Sequence, residues 1–284
     1  MAIELITTCP VCDHQKFSPY IITKDYTVTG EEFTLQKCSH CHFILTNPRP
    51  GQSSIGRYYE SENYISHSGK SKTLFDKVYL TARNITLGWK KDLIKKYSPT
   101  PSAILDYGCG TGNFLNYIKA SGWQVKGIEP NQGAREKAGQ LIGDNVYPAI
   151  KALKGETFQM ITLWHVLEHI HDLNSTIQEL KKHLTAEGHL IIAVPNPNST
   201  DSLHYKNHWA GYDVPRHLWH LTRNTMEKLM VKNGLRIVAV SPMKLDSYYV
   251  SLLSEGYKNP SKSKLAIGLR AFMQGLLSNL SARK

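Results

Sequence analysis

Three groups of residues in this 284-residue chain have types and spacings that could do chemistry. The first is a pair of short cysteine motifs, Cys9-Pro10-Val11-Cys12 and Cys38-Ser39-His40-Cys41, with 25 residues between them. Each CxxC turn can place two thiolates on one side of a tetrahedron, and a closed structural zinc site takes four such ligands. The pattern is zinc-ribbon-like, with Cys9, Cys12, Cys38 and Cys41 as metal ligands and Zn2+ in a structural role. His14, His40 and His42 stand close by and could substitute, but four thiolates already complete a tetrahedron. So short a segment buries little core, and the metal would supply its folding energy. The opposing reading is four reduced thiols around no metal.

The second group follows a short apolar run, Ala103 to Tyr107, that reads as a strand. It enters Gly108-Cys109-Gly110-Thr111-Gly112, and Asn113 to Ser121 then reads as a helix. A strand, glycine turn and helix let backbone approach a nucleotide-like ligand without side-chain clash. Asp106 ends the strand, where its carboxylate can reach the turn and a cationic ligand. The next strand, Gln124 to Ile128, ends in Glu129, 23 residues on from Asp106, where an acid can accept ribose hydroxyls. A pyrophosphate binder reads GxGxxG with its phosphates at the helix N-terminus. Here the spacing is GxGxG behind an acid, which repels pyrophosphate and suits the cationic methionine end of S-adenosylmethionine. In the competing readings Asp106 only caps the turn and Cys109 is a small packed residue.

These stretches resemble class I methyltransferases. Ile104 to Gly112 looks like their first motif, Gly127-Ile128-Glu129-Pro130 like the second, and Phe158 to His169 like the fourth. The last carries the Leu167-Glu168-His169 signature of the subgroup called methyltransferase family 23, and Asp213-Val214-Pro215-Arg216-His217 also fits it. The resemblance covers residues 100 to 245 and extends plausibly to the ribbon. It implies an S-adenosylmethionine-dependent methyltransferase (EC 2.1.1.-). It also implies an α/β, Rossmann-like class I fold: a mostly parallel sheet, helices on both faces, and a small N-terminal zinc ribbon. Carried over, Asp106, Gly108 and Gly110 would line the methionine part, within a motif that includes Tyr107 and Gly112. Glu129 would hold the ribose, next to Pro130. Asn131 and the Ala149-Ile150 loop would border the adenine. Trp164 and His165 would end the fourth strand, with His165 near the sulfonium. Gln159 departs from the pattern, which usually has an acid there, but at the start of the strand.

The third group lies in Pro195 to Leu221, which reads as a long irregular loop after the strand His189 to Val194. It holds His204, His208, Asp213, Arg216, His217 and His220. A loop of this length in a compact domain is usually functional, and ligands of open α/β sheets bind at the carboxyl ends of strands. Methyl transfer needs an aligned nucleophile and, for a hydroxyl, loss of a proton. His217 or His169 is the candidate general base, and Arg216 the candidate for orienting an anionic substrate. In the bland reading Glu168 and His169 form a structural pair, while His217 and His220 brace the loop.

The remaining sequence must position these groups. Four segments are expected: a zinc-ribbon-like module (1–50), a helical connector or lid (51–100), the cofactor-binding methyltransferase domain (101–245) and a C-terminal helical segment (246–284). Thr46 to Gly51 reads as a turn-rich connector, followed by Tyr58, Tyr59 and Tyr64. From about Thr73 to Tyr97, Leu74, Val78, Ala82, Ile85, Trp89, Leu93 and Tyr97 step by three or four, a helical stripe backed by lysines and Arg83. Asp172 to Leu184 and Thr222 to Lys232 read as helices and Leu235 to Val240 as a strand. No seventh strand is evident after 245, and 263 to 280 reads as a basic amphipathic helix. The preferred reading is that it lids the substrate pocket, the alternative that it lies on a membrane surface.

The net charge of +11 and pI near 9.3 suit an anionic partner: nucleic acid, a nucleotide-linked sugar or an anionic membrane. With no apolar run near 18 residues and no basic, apolar leader, a cytoplasmic protein without a transmembrane segment is expected. The leading expectation is methylation of a small-molecule or saccharide acceptor with histidine-assisted proton removal. An RNA methyltransferase using the ribbon on nucleic acid, and a non-catalytic S-adenosylmethionine/S-adenosylhomocysteine-binding scaffold, are the alternatives. The methylated atom type, the acceptor and the oligomeric state have no signal in the sequence.

Overall fold

The computed structural model describes residues 2–60 and 74–282. Tyr64, Thr73 and the side chains of Leu74 and Val78 lie outside that set. In chain order the first elements are β1 (Ile3–Glu4), β2 (Phe17–Lys24), β3 (Glu32–Cys38), β4 (Ile44–Thr46) and β5 (Arg49–Pro50). There follow α1 (Leu74–Tyr97), β6 (Ala103–Tyr107), α2 (Asn113–Lys119), β7 (Gln124–Ile128), α3 (Gln132–Ile142), β8 (Val146–Tyr147), β9 (Phe158–Trp164), α4 (Leu173–Lys182) and β10 (Leu184–Ala193). The last are α5 (Thr200–Tyr205), β11 (Trp219–His220), α6 (Arg223–Lys232), α7 (Asp246–Lys258) and α8 (Lys264–Ser281). The chain forms two compact units. One comprises Lys70–Leu167 and Asp172–Val194, the other Met1–Gly69, Glu168–His171 and Pro195–Lys284.

The first unit is an α/β layer. Its five strands run in the order β8-β7-β6-β9-β10, all parallel. Counted along the chain this is 3-2-1-4-5, the order of a doubly wound sheet, with its switch point between β6 and β9. Strands β6 and β9 are apolar almost throughout because both faces are covered. The core joins Leu87 and Ile94 of α1 to Ile104, Phe114, Leu115, Ile118, Val125 and Met160. Close packing at β7 depends on Gly127: a Cβ there would lie 2.5 Å from Cys109 Sγ and 2.9 Å from Leu115 Cδ1. Cys109 is therefore a packing residue, and burial raises its thiol far above the ordinary range.

The second unit is built on an antiparallel sheet, β11-β4-β3-β2, with β1 pairing β5 beside it. The two cysteine knuckles flank the β2–β3 hairpin, and Phe17 pairs with Cys38. The sheet takes its fourth strand from far along the chain, with Leu45 opposite Trp219 and Ile44 opposite His220. Leu35 and Ile44 pack with Tyr205, Trp209, Tyr212 and Val214.

Several expectations are corrected. Residues 195–221 are not an irregular loop: they hold α5, two 3-10 turns (Lys206–His208 and Ala210–Tyr212) and β11. Their aromatic residues are buried core, a long-range outcome invisible to local periodicity. The strand expected at 235–240 has no ladder partner among the described residues, and Ile237, Val238 and Val240 are exposed. The connector at 46–51 contains β5, and the expected stripe of α1 is rotated: Leu87 and Ile94 are buried and Ile85 is exposed. Lys90, on the face expected to be solvated, lays its ammonium 4.3 Å from the Trp164 ring centre.

The glycine contact is testable. Gly127→Ala is expected to destabilise the protein by about 1–3 kcal/mol in urea unfolding, and adding Cys109→Ala should recover part of that loss. Equal stability of Gly127→Ala and wild type would show that the contact is not tight.

Candidate functional site

In the glycine turn, Gly108, Gly110 and Gly112 all have positive φ (78°, 54° and 77°). The three differ in what surrounds them. A Cβ on Gly108 would meet Val166 Cγ2 at 2.5 Å, and one on Gly112 the Ala138 backbone at 2.9 Å. A Cβ on Gly110 would meet nothing within 4 Å among the described residues, so they leave room for a ligand there. Gly110 N donates to Glu129 Oε2 at 2.9 Å, and Asn131 N donates to Glu129 Oε1 at 2.8 Å. Each Glu129 oxygen has spent one acceptor position and keeps another, so the carboxylate is held in place and can still receive a ribose diol. Asn131 also caps α3, accepting from Ala134 N at 2.9 Å. Ala149 is exposed, and Ile150 opens a 3-10 turn (Ile150–Leu153). Pro130 is exposed at the end of the Glu129 segment, and its carbonyl accepts from Arg135.

Asp106 is 3% exposed. Its Oδ1 accepts the Thr162 hydroxyl at 2.6 Å, across the β6–β9 register that pairs these two residues. Burial, despite that bond and the charge of Lys90, pushes its carboxyl up to about 7. Tyr107 follows, half-buried, its phenol raised by burial. At the end of β9, Trp164 packs edge-on against Phe114, and its buried Nε1 has no hydrogen-bond partner among the described residues. His165 adopts φ 58°, uncommon for a residue with a Cβ, and its N–H donates to Ala193 O. An open glycine backbone, a fixed diol acceptor and an unused indole donor fit an adenosine-bearing cofactor.

The histidine cluster lies in the other unit. His169 Nδ1 is 3.0 Å from both Arg216 O and Tyr59 Oη. A carbonyl only accepts, so Nδ1 carries the proton and Nε2 the lone pair. Burial, aided by the neighbouring His217, lowers His169 to about 4, so the ring is neutral at pH 7. His217 Nδ1 likewise faces a carbonyl, Gly211 O, at 3.0 Å. Its Nε2 lies 3.9 Å from both Glu168 Oε1 and Asp213 Oδ2, and the two imidazole centres are 4.6 Å apart. His220 is a brace: Thr46 Oγ1 donates to His217 O at 2.7 Å and lies 3.0 Å from His220 Nε2.

Arg216, expected to orient an anionic substrate, is 1% exposed. Nη2 meets Asp213 Oδ1 at 2.7 Å and Asp25 Oδ1 at 2.9 Å, Nε meets Asp213 Oδ2 at 3.0 Å, and Nη1 donates to Tyr58 O at 2.7 Å. The guanidinium is committed to the chain's own groups, and its observed work is to hold the histidine segment in place. Asp25, which sequence reasoning missed, also accepts from Thr27 N, Val28 N and Thr29 N. Burial alone would raise Asp25, but Arg216 and these N–H groups hold it below the ordinary carboxylate value. Its turn-forming context was the only signal. Thr162 and Lys90 were missed too: their roles exist only once strands and helix are assembled.

The four cysteines converge as expected. Cys9 and Cys41 Sγ are 3.5 Å apart, Cys12 and Cys38 Sγ are 3.6 Å apart, and all four sulfurs lie within 4.8 Å of one another. A tetrahedron with Zn–S bonds of about 2.3 Å has edges of about 3.8 Å, so the cluster is compatible with zinc. The knuckles are twins: Asp13 and His42, each directly after a second cysteine, have φ 60° and 65°. His14, His40 and His42 are not part of the cluster.

The strand order and glycine turn define a Rossmann-like class I methyltransferase fold. The profile described as "Methyltransferase domain" (Methyltransf_23) matches residues 82–240. That is more than half of the sequence, and the chain belongs to this family. The chain is 29% identical over 96 residues to an uncharacterized methyltransferase of Geobacillus sp. (strain WCH70). That match covers 34% of this chain and 42% of the relative, less than half of its length. Among solved structures it is similar to magnesium protoporphyrin IX methyltransferase (ChlM) of Synechocystis PCC 6803 with bound S-adenosylhomocysteine. The identity is 16% and the TM-score 0.50, over 66% of this chain and 91% of that one. It is also similar to the sugar N-methyltransferase KedS8 of Streptoalloteichus sp ATCC 53650: 21% identity and TM-score 0.35, over 45% of this chain and 57% of that one. At these identities the likeness is one of fold.

The buried carboxyl makes a testable mark on stability. Asp106 keeps its proton to higher pH when folded, so the folded state loses stability as pH rises from about 4 to about 7. Asp106→Asn removes that cost. The variant should match wild type near pH 4 and exceed it by about 1–3 kcal/mol above pH 7, read by urea unfolding across that range. Parallel curves would show an unperturbed carboxyl.

Proposed function

We propose that this protein is an S-adenosylmethionine-dependent methyltransferase acting on a small-molecule or saccharide acceptor, with a structural zinc ion in its cysteine cluster. The observation that carries the reading is Glu129: its carboxylate is fixed by Gly110 N and Asn131 N, beside a glycine where a Cβ would meet none of the described residues within 4 Å. Glu129 would take the ribose hydroxyls, the Gly108–Gly110 backbone would accommodate the methionine end, and Asn131, Ala149 and Ile150 would border the adenine. Asp106, near its midpoint at neutral pH, would ionise against the ligand's ammonium group. Bound S-adenosylmethionine supplies an electrophilic methyl carbon. Segment 101–245 thus carries the cofactor residues and 1–50 the zinc ligands.

Proton removal falls to the His169–His217 pair. The backbone holds both rings with Nδ1 protonated, leaving Nε2 as the basic atom. Glu168 and Asp213 would stabilise the imidazolium formed when an acceptor hydroxyl or amine gives up its proton. Arg216 keeps Asp213 ionised against its burial, which supports a positioning role for it. The saccharide class rests on the net charge of +11, which suits an anionic partner such as a nucleotide-linked sugar. A cytoplasmic site of action belongs to the same proposal.

Calorimetric titration with S-adenosylhomocysteine tests the reading. Wild type should bind, and Glu129→Ala should weaken binding by at least about tenfold. His169→Gln should bind normally while turnover falls by about a hundredfold or more. A folded wild type that does not bind would overturn the assignment. For the metal, elemental analysis should find about one zinc per chain and none in Cys38→Ser/Cys41→Ser. A stable, metal-free wild type would refute the structural zinc.

A further inference from the structure

Helix α8 is built the wrong way round for a helix that belongs only to this molecule. Its buried face is small and polar: Ala271, Gln274, Gly275 and Ser278. Those residues fix the helix to the chain. Ser278 Oγ donates to Asp201 Oδ1 at 2.6 Å, and Gln274 Nε2 donates to Thr200 O at 3.3 Å. Gly275 lies so close to α7 that a Cβ would meet Tyr248 Cδ1 at 2.6 Å. The opposite face is apolar and in solvent. Leu265 is 75% exposed, Leu269 61%, Phe272 58% and Met273 64%, and Leu276, Leu277 and Leu280 continue the stripe. The spacing 265, 269, 272, 276, 280 is one helical face, so these side chains form a continuous ridge. Soluble proteins bury such a ridge unless it meets a partner.

The charge pattern selects the partner. From Gly256 to Lys284 there is no aspartate or glutamate, while Lys258, Lys262, Lys264, Arg270, Arg283 and Lys284 are basic. A second copy docked ridge to ridge would bring like charges together. No helix of the described residues is long and apolar enough to cross a membrane. An apolar ridge on a segment whose own charged side chains are all basic, with Arg270 3.9 Å from the buried Glu255 of α7, is what an interfacial helix needs: the ridge sinks to the acyl boundary and the cations meet anionic headgroups.

We propose that α8 docks the protein on the surface of an anionic lipid bilayer, lying in the plane of the interface with its Leu265–Leu280 ridge inserted. This does not rest on the methyltransferase reading.

Vesicle flotation with the full chain tests it. Wild type should float with vesicles of phosphatidylglycerol mixed with phosphatidylcholine, bind pure phosphatidylcholine vesicles far less, and lose binding as salt is raised. Leu269→Asp/Met273→Asp should cut binding by about tenfold or more, with an unchanged melting curve because both side chains are exposed. Lys262→Glu/Lys264→Glu, which leaves the ridge and the Arg270–Glu255 pair intact, should lower binding to the anionic vesicles alone. Failure of wild type to float, or equal flotation of the ridge variant, overturns the proposal. So does a concentration-dependent dimer that the ridge substitutions disperse, which would assign the ridge to a second copy.

Discussion

The non-parallel unit is organised around one buried cation. The guanidinium of Arg216 reaches Asp25 on the β2–β3 turn, Asp213 three residues before it, and the Tyr58 carbonyl beyond β5. Such a group is tolerated inside a protein only when every charge is matched, since removing one partner of a buried pair leaves an unpaired ion costing about 3–5 kcal/mol. The constraint spreads outward. With Arg216 held, its carbonyl receives His169 Nδ1–H, and the next residue, His217, faces Glu168 and Asp213. Strand β11 then follows and closes the sheet against β4. The N-terminal cysteine module is thus the near edge of a unit whose far edge lies some 170 residues along the chain.

The parallel unit obeys a steric constraint instead. Cys109 occupies the space a Cβ of Gly127 would take, while Val166 and Ala138 close over Gly108 and Gly112. Of the three turn glycines, Gly110 alone would carry a Cβ clear of the described residues, and the acid that anchors it, Glu129, lies one residue past the end of β7. The glycines of one short motif differ in their surroundings: two bring the backbone against neighbouring residues, and the third would carry a Cβ without meeting a described one.

Electrostatics separates the two candidate regions. In the parallel unit a carboxyl is desolvated until its proton is held to about pH 7. In the other, carboxylates beside Arg216 stay ionised in spite of burial, and a histidine among them stays neutral. Burial acts on all of them, and the outcome turns on whether a cation is bonded directly to the carboxylate: Arg216 donates to Asp25 and Asp213, whereas Lys90 acts on Asp106 only as a nearby charge. A neutral imidazole next to fixed carboxylates is the state from which a proton can be accepted.

Local chemistry determined much of this protein from sequence alone. Two CxxC turns with their spacing specified four converging sulfurs, because each turn presets two ligands. A strand, a GxGxG turn and a following acid specified the parallel sheet and its nucleotide-type end, because few residues other than glycine tolerate those φ values beside such neighbours. The amphipathic period of α8 was legible too. Long-range contact decided the rest. Periodicity could not say that Trp219 and His220 pair with β4, that Trp209 and Tyr212 are core rather than loop, or that α1 presents Lys90 to an aromatic face. Nor could it assign Arg216 to Asp25 rather than to a ligand, or place the apolar ridge of α8 in solvent. A residue's type sets which partners it can satisfy, but the tertiary structure alone decides which of them it meets.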